Sequence, residues 1–313
     1  MILCLGPTPA LQRVMRFARL QTQAVNRALE TLDGIAGKAV NVAKVLRTLG
    51  ETPLLTGFIG GETGRRLEAG LAQCGLRQEW VRVPAPTRQC ITVVDMASGG
   101  VTELVEESRP VPAEAYDRLW DVVKTRLPQC RALIISGTLT PGAPTDFYAR
   151  CVAAARQQGL LTVVDTQRDA LRATLAARPT LVKPNRQELE ALLEQPLPDA
   201  PAVARAMRHL QDQGAEAVLV TAGSGPALLS AEGRLWQLRP PAIAALNPIG
   251  SGDSLTAAMV SRRLRGEDWP EACRWGVAAG AANALTWMPG ELEMPDLERL
   301  LAQAEVTAWE PPS

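Results

Sequence analysis

Short apolar runs bounded by Gly, Pro or Thr recur along the chain at residues 2–5, 54–58, 132–136, 160–165, 180–183 and 217–221. Their length and their β-branched and leucine-rich content predict strands buried on both faces. Between them, apolar positions fall at helical spacing over 40–49, 64–74, 113–127, 145–158, 187–193 and 200–213. This alternation predicts an α/β fold, a doubly wound and mainly parallel sheet flanked by helices, with ligands beyond the strand C-termini. One region breaks the rhythm. Residues 89–106, QCITVVDMASGGVTELVE, form two runs of strand formers joined by Ser98-Gly99-Gly100, the pattern of a hairpin. Residues 12–36 also lack a helical repeat. Two excursions, at about 12–36 and 86–108, therefore predict a small β-sheet lid on a single domain spanning 1–313, with a frayed tail at 309–313.

Composition narrows the partners. Lys plus Arg number 33 and Asp plus Glu number 33, so no global field draws the chain to nucleic acid or to an anionic membrane. Any anionic ligand is bound by local design. Six cysteines without a CxxC pair and the single His209 indicate reduced thiols and no structural zinc. The first residues lack a basic leader with a long apolar segment, and the uncharged stretch 275–290 is too short and too interrupted to span a bilayer. The expectation is a soluble cytoplasmic protein.

The chemistry concentrates at Asn247-Pro248-Ile249-Gly250-Ser251-Gly252-Asp253-Ser254. Glycines around a serine let successive N–H groups face one anion, and the helix that follows adds its positive end. Asp253 is repelled by a phosphate bound there. It either caps the helix or acts as a base on a hydroxyl brought beside the phosphate. Common nucleotide motifs are absent: Gly37-Lys38 is preceded five residues earlier by Leu32 and followed by Ala39, which is no P-loop. Four other places recur at strand ends or helix starts: 34–41 (GIAGKAVN), 136–142 (SGTLTPG), 182–188 (VKPNRQE) and 221–225 (TAGSG).

In order and spacing, these five motifs resemble the PfkB branch of the ribokinase-like carbohydrate kinases, and within it the 1-phosphofructokinase and tagatose-6-phosphate kinase group. Thr87-Arg88, Asp165 at a strand end and the stretch 276–285 add to the likeness, which covers nearly the whole chain. The resemblance implies that Asp253 accepts the proton of the attacking hydroxyl while the Gly250, Ser251 and Gly252 amides stabilise the transferred phosphoryl group. It implies that Asn185 and Glu188 organise Mg2+ near ATP, although the same spacing makes a helix capping box. Lys183 is then a phosphate ligand or an ordinary strand-end lysine. Thr221, Gly223 and Gly225 lie along the nucleotide, and Asn283 either flanks adenine or faces solvent from mid-helix. On the acceptor side, Lys38 and Arg88 are phosphate ligands and Asn41 a sugar-hydroxyl partner. Gly37 and Ser136 complete that side, and Arg27 is a weaker phosphate candidate from the lid of the same or a partner subunit.

Departures from the family pattern cluster on the acceptor side. Gln12 stands where relatives carry an acid that binds two sugar hydroxyls, a loss of about 1.5 to 3 kcal/mol for a charge-assisted bond. Ala39 replaces a glycine, which is expected to narrow the pocket and, at positive φ, to add strain. Gln167 replaces a small hydroxyl residue, and Pro226 removes an N–H from the nucleotide turn. The leading expectation is an ATP- and Mg2+-dependent kinase converting fructose 1-phosphate to fructose 1,6-bisphosphate. Alternatives are tagatose 6-phosphate or another phosphosugar, and a nucleotide-binding regulator that has lost turnover. Lid strands that pair between subunits imply a homodimer.

Overall fold

Strands that read as continuous apolar runs lie inside the sheet, where helices cover both faces. The structure, a computed structural model, describes residues 1–310. The first of its elements, β1 (Ile2–Leu5), leads into β2 (Ala10–Phe17) and β3 (Glu30–Ala36), then α1 (Lys38–Thr48), β4 (Pro53–Ile59), α2 (Gly61–Gln73) and β5 (Arg77–Arg82). A hairpin of β6 (Arg88–Asp95) and β7 (Gly100–Val105) precedes α3 (Ala113–Arg126), β8 (Ala132–Ser136), α4 (Phe147–Gln157) and β9 (Leu161–Asp165). Then come α5 (Arg168–Leu175), β10 (Leu181–Val182), α6 (Arg186–Leu193), α7 (Ala200–Asp212), β11 (Ala217–Ala222), β12 (Gly225–Ala231) and β13 (Arg234–Arg239). The chain closes with α8 (Ser251–Arg263), α9 (Trp269–Ala284), α10 (Met294–Leu301) and β14 (Glu305–Ala308).

Ten strands form the main sheet in the order β14-β13-β12-β11-β10-β9-β8-β1-β4-β5. From β5 to β11 every pairing is parallel, and β12 to β14 continue the sheet antiparallel. Alternation within a strand sends side chains to opposite faces: Ile2 and Cys4 join the core under α1, α8 and α9, while Leu3 and Leu5 join the core under α3, α4 and α7. The crossover direction reverses between β1 and β8, which opens a crevice at their C-terminal ends.

The two excursions assemble into one four-stranded sheet, order β3-β2-β6-β7, with β2 and β6 parallel and the outer pairs antiparallel. Its first strand begins at Ala10, so Gln12 is already a strand residue, opposite Gly34 and Cys90. Elsewhere the structure adds strands that apolar patterning does not announce. Strand β5 carries Arg77, Glu79 and Arg82 because it is the sheet's edge, where charge discourages pairing with another chain. Strands β12 and β13 join through Glu232-Gly233, both at positive φ, a hairpin turn. Trp309, expected in the frayed tail, donates its N–H to Leu235 O at 2.9 Å; residues 311–313 lie outside the described residues. No helix among the described residues is long and apolar enough to cross a membrane.

Candidate active site

The glycine-punctuated turn stands at the start of α8. Gly250 is the N-cap residue with φ 86°, and its lack of a side chain is required. A Cβ there would lie 2.9 Å from Gly290 N and from Pro289 Cβ. The Gly250 carbonyl accepts the Ser254 N–H at 2.9 Å, which closes the first turn. Ser251 donates its own N–H to Pro248 O at 3.2 Å. Of the three expected amides, that of Ser251 is thus engaged within the turn, while the first-turn N–H groups of Gly252 and Asp253 have no acceptor inside the helix. A Cβ on Gly252 would be 3.6 Å from Lys183 Nζ, so an ammonium stands directly beside the nest.

Asp253 is buried and accepts a 2.7 Å hydrogen bond at Oδ2 from Asn41 Nδ2. Burial pushes its carboxyl up to about 6; the Lys38 charge opposes that rise, and Asp165 adds to it. A carboxylate with this proton affinity is ionised at neutral pH yet far more basic than a surface aspartate, which suits a general base. Asn41 reaches it from the first turn of α1, where Gly37 holds φ 107° because a Cβ would be 2.8 Å from Pro9 Cα. Asn41 Oδ1 is buried with no hydrogen-bond partner. It is free to accept from a hydroxyl.

Asp165, at the end of β9, is the electrostatic centre that the motif reading left without a role. Its carboxylate is buried, with Oδ1 3.0 Å from Lys38 Nζ and Oδ2 3.0 Å from Lys183 Nζ. Burial alone would raise this acid, but Lys183 and Lys38 together hold it below the ordinary carboxylate range. Lys38 is raised in turn, chiefly by Asp165. Lys183 is 5% exposed in its side chain, so it is no ordinary strand-end lysine. Lys38, expected on the substrate phosphate, stands among Asp165, Asp253 and Glu188, the last 3.8 Å away.

Asn185 and Glu188 form the capping box in full: Glu188 N donates to Asn185 Oδ1 and Asn185 N to Glu188 Oε2, both at 2.8 Å. Glu188 Oε1 remains turned toward Lys38. No group of three or more metal-ligating side chains occurs among the described residues. One free carboxylate oxygen fits a magnesium ion held mainly by phosphates and water, not a caged one. Thr221 bridges to Asn185. Gly223 and Gly225 form the exposed turn of the β11–β12 hairpin at the same sheet end.

Asn283 takes neither expected role. It is wholly buried, donating from Nδ2 to Ile249 O at 2.9 Å and accepting the Gly290 N–H at 2.8 Å, with Ser254 Oγ 3.0 Å away. Its amide braces the 247–253 turn from α9. Ala39, expected to narrow the pocket, has no positive φ, and its methyl packs in the core against Gly6. Gln12 is buried on β2 and donates from Nε2 to Thr92 Oγ1 at 2.8 Å. The same nitrogen lies 3.5 Å from Arg13 O, a carbonyl that can only accept, and this sets the amide orientation with Oε1 as the acceptor. Arg88 donates to Thr8 O at 3.3 Å and, with Arg109, Ser108 and Thr140, lines a cleft of about 30 Å³. Ser136 ends β8 with its Oγ buried and unpartnered. Arg27 is exposed on the loop between β2 and β3.

Between α9 and α10 the segment 286–291 touches both parts of the site. The Trp287 ring lies under Arg16 of β2, 4.1 Å from its guanidinium carbon, and the Met288 methyl fills the space above Gly34 of β3. Pro289 and Gly290 abut Gly250 and Asn41.

Residues 3–288 match the model of the pfkB family of carbohydrate kinases. The chain belongs to that family. It is 28% identical over 309 residues to the tagatose-6-phosphate kinase of Staphylococcus epidermidis, covering 98% of this chain and 99% of that one. The phosphofructokinase-2 of Escherichia coli in complex with fructose-6-phosphate superposes with a TM-score of 0.85 at 28% identity, over 96% and 98% of the two chains. A Thermotoga maritima protein described as a possible 1-phosphofructokinase shares the fold at TM-score 0.91 and 21% identity, over 99% and 100%. In this pfkB-family kinase, motif reading marked Asp165 without giving it a role and missed Thr92 and Arg109. Asp165 did carry a signal, an acid ending a buried strand; Thr92 and Arg109 become visible only once the lid folds beside β1.

Proposed function

We propose that this kinase transfers the γ-phosphoryl group of ATP to a hydroxyl of a ketohexose phosphate, at the end remote from the existing phosphate. The observation that carries this reading is Asp253, a buried base oriented by Asn41 beside two first-turn N–H groups and the Lys38–Asp165–Lys183 cluster. The acceptor oxygen forms its bond to γ-phosphorus as the bond to the β,γ-bridging oxygen breaks. The hydroxyl proton passes to Asp253, and ADP leaves. The Gly252 and Asp253 amides and Lys183 face the charge that develops on the phosphoryl oxygens. Glu188 Oε1 would hold magnesium through water, and the chemistry supplied by that ion is neutralisation of the phosphate oxygens. Arg88 and Arg109, sharing one cleft, suit the phosphate of the acceptor.

The relatives at 28% identity act on or bind ketohexose 6-phosphates by name, and on that support we rank tagatose 6-phosphate and fructose 6-phosphate ahead of fructose 1-phosphate. The test is ADP release from Mg-ATP with these three sugars and unphosphorylated hexoses, for the wild type and Asp253→Asn. One phosphosugar should be favoured, and Asp253→Asn should lower kcat by about 10²- to 10⁴-fold. Turnover of no acceptor would reduce the site to nucleotide binding, and an undiminished Asp253→Asn would remove the base.

A further inference from the structure

Helix α1 buries every residue from Ala39 to Leu46, and one of them is Lys44. An ammonium in such a place needs close partners, because burial without them strongly disfavours the charged form. Lys44 Nζ donates to Pro289 O at 2.8 Å and meets Glu291 Oε1 at 3.0 Å. Glu291 is half exposed, so the carbonyl is the buried partner. The same peptide unit offers its N–H, that of Gly290, to Asn283 Oδ1 at 2.8 Å. One peptide plane is thus clamped at both of its polar atoms.

That plane is the surface on which the catalytic turn rests. A Cβ on Gly250 would lie 2.9 Å from Gly290 N, and a Cβ on Gly290 would lie 2.6 Å from Asn41 Cα. Asn41 and Lys44, three residues apart, share a face of α1. The first holds Asp253, and the second holds the peptide wedged between Gly250 and Asn41. An apolar side chain of similar length would fill the same space without a charge to pair. What it would lose is a donor strong enough to keep the Pro289 carbonyl pointed at α1.

We infer that Lys44 is a positioning residue, a cation built into the fold that holds the Pro289–Gly290 peptide and thereby the Gly250–Asp253 nest and Asn41, a role that rests on the phosphoryl-transfer reading of that nest. Its effect falls on the transition state, in which nest and base act together, more than on substrate binding.

Hydrogen exchange read by mass spectrometry on the full chain, with steady-state kinetics beside it, tests this on Lys44→Met, Lys44→Arg and Glu291→Gln. Segments 247–256 and 286–292 of Lys44→Met should exchange about tenfold faster or more, with strands 132–136 and 161–165 unchanged. Its kcat should fall about 10- to 100-fold while both KM values move less than about threefold. Lys44→Arg should restore both readouts. Glu291→Gln, a change at a half-exposed residue, should loosen the same two segments to a smaller degree, and it decides the matter if Lys44→Met does not fold. Unchanged exchange in those segments, faster exchange across all strands, or a loss confined to KM would each overturn the role. A wild type that turns over no phosphosugar would sink the proposed function, yet the exchange pattern would still judge whether Lys44 holds the turn.

Discussion

Asp253 sits where two demands conflict, since the burial that makes it basic also makes its charge costly. Its raised value gives a direct kinetic signature: kcat/KM should rise with pH around a midpoint of about 6, as the base loses its proton. Lys38 pulls that value down, so Lys38→Met should move the rising limb to higher pH; an unmoved midpoint would show that Lys38 does not act on the base. The same shift bears on stability. A carboxyl raised in the folded state from 3.8 to about 6 stabilises the fold fully below its unfolded value and loses that contribution as pH rises through the folded one. Above the window, the ionised group costs up to roughly 3 kcal/mol. Asp253→Asn should therefore be more stable than the wild type at pH 8 in urea denaturation, with the gap closing toward pH 4. A constant gap across that range would contradict the assignment.

The segment 286–291 is the element on which the nest depends. Gly290 has φ 70° and no room for a side chain against Asn41. Gly290→Ala should cost about 2 kcal/mol or more and lower kcat as well, read by thermal melts and turnover; a stable, fully active variant would show that Asn41 and the turn can shift apart. This element also marks the limit of what the sequence discloses. The parallel strands and their covering helices were legible because burial on both faces leaves uninterrupted apolar runs, and α1, α3 and α7 begin within two residues of their expected starts. Capping at Asn185 and Glu188 was legible from spacing, since both partners are local. Asp165 bridging two lysines was not, because Lys38 and Lys183 reach it from helix and strand ends far apart in the chain. The roles of Asn283 and Lys44 were obscured for a related reason: the contacts by which they hold the turn are to backbone atoms, which carry no residue identity for a motif to record.

Across the molecule, apolar exposure is concentrated in one place. Of the seven large apolar side chains exposed among the described residues, Leu20, Val25, Leu29, Met96, Leu104 and Val105 belong to the lid excursions. Removing such a patch from water is the driving force for association. If lid strands pair between subunits, as the family resemblance implies, the wild type should sediment as a homodimer and Leu104→Glu should shift it toward monomer; a monomeric wild type would end that expectation. The segment 286–291 reaches this same lid through Trp287 and Met288, while Pro289 and Gly290 press on the catalytic turn. The lid is therefore not a portable module in this chain. A chimera that imports a relative's lid strands but keeps the native 286–291 sets a foreign β3 under Met288 and a foreign β2 under Trp287, and the mismatch is delivered to the nest two residues away. Transplanting lid and segment together keeps their shared contacts intact.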